Sequence, residues 1–88
     1  MMNNVFTTPF VEAVHNHLYL NEMPSIELAV RLKMSKDAFT ELMNGERDLT
    51  IDIAERLALV FETSTAYWMN LANASQQKNN NVYQMNQA

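Results

Sequence analysis

The sequence predicts an all-α domain of five helices around one core, and three observations predict it. In five successive segments apolar residues recur three and four positions apart, the spacing that places them on one face of a helix. Each segment is preceded by a Ser or Thr able to cap a helix N-terminus: Thr8, Ser25, Ser35, Thr50 and Ser64. No run alternates as a strand would, and there is no internal repeat.

The first helix starts at Thr8-Pro9, because Thr caps and Pro suits the first helical position. It runs to about Asn21, with Phe10, Val11, Val14 and Leu18 toward the core. Pro24 disfavours helix at Met23 and makes a break. Ser25 then caps a second helix, with Glu27 well placed in its first turn. Leu28, Ala29 and Leu32 form its apolar face. A tight turn follows at Lys33-Met34. Ser35 caps a third helix, with Asp37 in its first turn and Ala38, Phe39 and Leu42 inward. Small Ala29 lets these two helices cross closely, with Phe39 and Leu42 packed back over it.

The third helix stops at Asn44-Gly45. Gly45 is the only glycine in the chain and sits where a helix end takes a left-handed residue. Thr50 caps a fourth helix, Ile51 to Phe61, with Ala54, Leu57, Ala58 and Phe61 inward. Ser64 caps a fifth over about 65–74, with Tyr67, Trp68, Leu71 and Ala72 available for burial. The domain therefore covers 8–75, after an N-terminal arm over 1–7. Residues 76–88 form an Asn/Gln-rich tail whose composition is that of a flexible segment.

Residues 25–45 have the layout of a helix-turn-helix. In that motif the outer face of the second helix enters the DNA major groove, and its first residues reach base edges. Lys36, Asp37, Thr40 and Glu41 are the side chains so placed. Lys36 suits a base or a phosphate, against the alternative of a plain solvated lysine. Thr40 suits a thymine methyl or a phosphate, or is simply exposed. Asp37 and Glu41 repel phosphate, but a carboxylate accepts a hydrogen bond from cytosine N4. They also serve to reject wrong sites. Ser25 and Ser35, at helix N-termini, are placed to meet phosphates.

The segments that follow carry a resemblance. They are N-G-x-R at 44–47, I-A-x-R-L-A at 53–58 and T-S-x-x-Y-W-x-N-L at 63–71. Together with the helix-turn-helix these resemble the HigA-type (VapI-like) antitoxins of the Xre, or lambda-repressor, superfamily, over about 8–73. The resemblance implies a five-helix lambda-repressor-like DNA-binding domain. It implies a small homodimeric repressor on a palindromic operator, with half-sites about one helical turn apart. It also implies a small basic RelE-like ribonuclease toxin as partner. Arg47 matches the basic position of N-G-x-R and is expected to grip phosphate. Asn44 either bonds a phosphate too or only helps end the helix. Two positions depart from the family. Lys33 stands where Gly is usual, and Ile26 stands where a phosphate-binding Gln is common.

Charge cuts both ways. The net charge of the 88-residue chain is −4, whereas DNA binding draws on cation–phosphate contacts. Five of the six basic residues fall in the motif region: Arg31, Lys33, Lys36, Arg47 and Arg56. The same span holds Asp37, Glu41, Glu46, Asp48, Asp52 and Glu55. Acidity does suit a basic toxin, since opposite charge steers association. Two further readings stay open: a stand-alone phage- or plasmid-type regulator without a toxin, and a helical adaptor that has lost DNA binding.

Other signals have plain explanations. His15 and His17 point to opposite sides of a helix and lack further metal-ligand spacing. Arg31 and Arg56 read as structural, with an Arg56–Asp52 pair at i,i+4. Met34, Met43 and Met69 read as core fillers. Tyr67 and Trp68 read as core or interface, and Trp68 with Leu71 on the fifth helix is the expected dimer surface. No catalytic set or cofactor motif is legible, so no enzyme is expected. The absence of Cys, of a membrane span and of a signal peptide leads to the expectation of a cytoplasmic protein.

Overall fold

A computed structural model of the chain describes residues 8–75; the arm and the tail lie outside the described residues. Helix α1 spans Pro9–Leu20, α2 Ser25–Arg31, α3 Lys36–Met43 and α4 Ile51–Phe61. A further helix, α5, covers 65–75, and no strand occurs among the described residues.

Four of the five expected caps form. The Thr8 hydroxyl accepts from Val11 N, Ser35 from Ala38 N, Thr50 from Ile53 N and Ser64 from Tyr67 N, all at 3.0–3.2 Å. Each satisfies one of the amides that a helix start leaves without a partner. Ser25 corrects the sequence reading. It is the first residue of α2 rather than its cap, and no side chain caps that helix. Pro24 is extended at φ −73°, ψ 152°, and its carbonyl takes the first bonds from Glu27 N and Leu28 N. The residue fixed by its own ring is already the boundary, so Ser25 is drawn into the helix.

Helices α1 to α4 all end in a left-handed residue: Glu22 (φ 52°), Lys33 (φ 59°), Gly45 (φ 81°) and Glu62 (φ 56°). After α2, Lys33 N donates to Val30 O and Met34 N to Ala29 O. After α3, Gly45 N donates to Leu42 O and Glu46 N to Glu41 O. These paired bonds satisfy carbonyls that a helix end otherwise leaves open. They also offset part of the steric cost of a left-handed L-residue, about 1–2 kcal/mol at Lys33. The missing glycine at the helix-turn-helix turn therefore does not change its path.

One core joins the five helices. Phe10, Ala13, Val14 and Leu18 come from α1, Leu28 and Ala29 from α2, Phe39 and Leu42 from α3, Ala54, Leu57 and Phe61 from α4, and Trp68 from α5, with Leu32 at the turn. Met34, Met43 and Met69 pack against it, half-buried. Ala38 and Ala58, expected inward, are half-buried too, whereas Ala13 is buried without having been singled out. No charged or polar residue is buried among the described residues.

Trp68 corrects the second expectation. It is 0% exposed, so it has no surface to give a second copy of the chain. Its ring meets Phe10 and Tyr67 edge-on, with centroids 6.0 and 4.9 Å away, and lies tilted against His17 and Phe61. Its Nε1–H donates to Thr63 Oγ1 at 2.6 Å. A small domain has few rings to close its core, and this one is used inside. Leu71, half-buried, keeps some surface.

Trp68→Ala should lower the free energy of unfolding by about 3–5 kcal/mol. The readout is the urea midpoint, and a midpoint matching the native chain contradicts the packing described here. Gly45→Ala should cost about 1–2 kcal/mol through backbone strain alone, because nothing lies within 4 Å of the added Cβ. Gly45→Asn should cost less, since Asn tolerates the left-handed region. Equal losses for Ala and Asn would mean that the strain argument is wrong.

Candidate nucleic-acid interface

Helix α3 is two-faced. Phe39 and Leu42 are buried, while Lys36, Asp37 and Thr40 are exposed and Glu41 is half-exposed. Lys36 and Thr40 are four apart, as are Asp37 and Glu41, so they form two adjacent rows on the outer face. Ser35 Oγ accepts from Ala38 N at 3.1 Å, which fixes where the helix begins. Arg56 Nη1 donates to Leu32 O at 3.3 Å, so α4 braces the turn from behind.

Ion pairing sorts the cations. Arg31 binds Glu27, Arg47 binds Glu41 and Arg56 binds Asp52, at 2.8–3.1 Å. The Arg56–Asp52 pair is the one expected from spacing. Among the described residues, Lys33 and Lys36 are the Lys and Arg side chains outside such pairs, and both are exposed. They flank the turn between α2 and α3. Two lysines outside ion pairs, with exposed Asp37 beside them, thus sit at the start of the two-faced helix, although the chain as a whole is acidic. Sequence reasoning singled out Lys36 but took Lys33 only as a turn residue. The missed signal was that every arginine in the region has a carboxylate within reach.

The other expected site residues separate. Asn44 is exposed and is the C-cap of α3, its N–H bonded to Thr40 O at 2.9 Å. Ser25 is exposed on the first turn of α2. Ile26 and Val30 on the same helix are also exposed, at 69% and 70%, so α2 shows apolar surface beside the turn. Arg47, expected on phosphate, has Nε and Nη2 on Glu41 Oε1 at 3.2 and 2.8 Å. Neither spacing nor helical periodicity announces that pair.

His17 stacks on the Phe61 ring with centroids 5.0 Å apart, and its Nε2 lies 3.2 Å from Tyr67 Oη. Its role is in packing. No group of three or more metal-ligating side chains occurs among the described residues, and none of their helices is long and apolar enough to cross a membrane.

No protein-family model matches the chain. The uncharacterised HTH-type transcriptional regulator YbaQ of Escherichia coli is 35% identical over 65 residues, 74% of this chain. The matched region spans 58% of that relative's length. An addiction module antidote protein of the HigA family from Coxiella burnetii superposes with a TM-score of 0.68 at 32% identity, over 83% of this chain and 79% of that one. The antitoxin HigA of Pseudomonas aeruginosa, solved with the higBA promoter, superposes with a TM-score of 0.75 over 93% and 89% of the two chains. At 24% identity it speaks for the fold alone. The fold, the two-faced α3 and the Coxiella relative agree: this chain belongs to the HigA family of Xre-type helix-turn-helix proteins.

Proposed function

We propose that the chain is a sequence-specific DNA-binding repressor and the antitoxin of a HigBA-like pair. The observation that supports this best is the outer face of α3, with unpaired Lys36 at its start and Lys33 just before it. In this reading α3 lies in the major groove. Lys36, Asp37, Thr40 and Glu41 face base edges, and the N-terminal ends of α2 and α3, with Ser25 and Ser35, meet phosphates. Asn44 is exposed at the far end of α3 and contacts the backbone there. A homodimer sets two copies of α3 on a palindromic operator, and the operator in the module's own promoter makes the repression autoregulatory.

The toxin is a small basic RelE-like ribonuclease. A net charge of −4 favours its capture by long-range attraction, at some cost to non-specific DNA affinity. The likeness to YbaQ, an HTH-type transcriptional regulator, is also compatible with a second reading, a regulator that acts without a toxin. Co-purification with a basic protein of similar size separates the two, because the second reading predicts none.

Selection from fragmented genomic DNA by the purified protein at low salt should enrich a palindrome. Lys36→Glu, while still folded, should bind it about 5- to 150-fold more weakly, the effect of about 1–3 kcal/mol at a base-reading position. Thr40→Ala should relax preference at one base step and leave the rest. No enrichment at any salt, or undiminished binding by Lys36→Glu, contradicts the proposal.

A further inference from the structure

Glu41 and Arg47 meet for a reason built into the backbone. They are six residues apart, too far for helical periodicity to pair them. The chain reverses at left-handed Gly45, and Glu46 N donates to Glu41 O at 2.8 Å. This returns residue 47 to the side of residue 41. Arg47 Nε and Nη2 then both donate to Glu41 Oε1. The motif that ends α3 therefore also delivers a guanidinium to a carboxylate on its outer face.

We infer that Arg47 is a positioning residue: it holds the Glu41 carboxylate as the acceptor for a cytosine amino group, and it does not grip a phosphate. This rests on the DNA-binding reading above. Glu41 stands one turn beyond Asp37, in the row that faces the groove in that reading. Cytosine N4 is the major-groove donor that suits a carboxylate. Arg47 engages Oε1 alone, so the clasp does not use Oε2. A bare carboxylate is repelled by the phosphates that line the groove, whereas one matched by an adjacent guanidinium is not. Two of the five guanidinium N–H groups are spent on Glu41, so the side chain is held against that carboxylate and only its remaining edge is left for any other acceptor. The pair thus converts an unfavourable acid on the recognition helix into a base reader.

The test repeats the DNA selection with full-length Glu41→Gln, Arg47→Ala and Arg47→Lys. Both side chains of the pair are about half exposed, so each variant should keep the native melting profile. Glu41→Gln and Arg47→Ala should lose a cytosine preference at the same base step of each half-site. Arg47→Lys should restore part of that preference. The inference is overturned if Arg47→Ala keeps the native base preference and weakens all fragments alike. The slope of log affinity against log salt would then be shallower by about 0.9, the mark of one lost phosphate contact. If the native chain enriches no DNA at all, the DNA-binding reading fails, and this inference falls with it.

Discussion

The burial of one indole holds the scaffold together. Trp68 comes from the last helix, and the rings around it come from the first helix (Phe10 and His17), the fourth (Phe61) and its own neighbour Tyr67. Its only polar atom is satisfied by Thr63, so the ring is buried without an unpaired donor. A second link closes the same end: Phe10 N donates to Ser75 Oγ at 3.1 Å, and that hydroxyl donates to Leu71 O. These contacts join α1, α4 and α5, while α3 enters the same core through Phe39 and Leu42. Its outer residues Lys36, Asp37 and Thr40 stay exposed and are free to answer to a ligand rather than to packing.

The second constraint is how the helices stop. Short helices gain little from propagation, and α2 and α3 are only 7 and 8 residues long. Their ends therefore weigh heavily. Left-handed residues at 33 and 45 set the turn before α3 and the reversal after it. One of the two is a lysine, held there by the bonds to Val30 O and Ala29 O and by the braced Leu32 carbonyl. The same position thus carries strain and an unpaired cation. Reaching that backbone with Gly would remove both.

Much of this was legible in the residues. Ser and Thr before apolar-periodic runs marked four helix starts, and a lone glycine marked the end of α3, because both signals are local. Ser25 misled because Pro24 also marks a boundary, and the ring-fixed residue prevailed. Trp68 misled because apolar area says nothing about which partner covers it; four rings from three helices do so within the chain. Left-handed Glu22 and Glu62 carried no sequence signal at all, since glutamate is not a residue type that favours that region. In the candidate site the outer row of α3 was legible from periodicity. The commitment of Arg47 to Glu41 was not, because it depends on a reversal between them and on side chains meeting outside helical register.

Charge distribution rather than total charge decides how an acidic chain approaches DNA. Three arginines are matched by carboxylates, and two lysines at one turn are not. The most direct measurement of the central claim is an amide chemical-shift titration of isotope-labelled protein with the selected operator DNA. The account predicts that the largest changes fall on residues 33–41, around the turn and the outer face of α3, with α1 and α5 little affected. Changes centred on α1 or α5, with 33–41 silent, would contradict it.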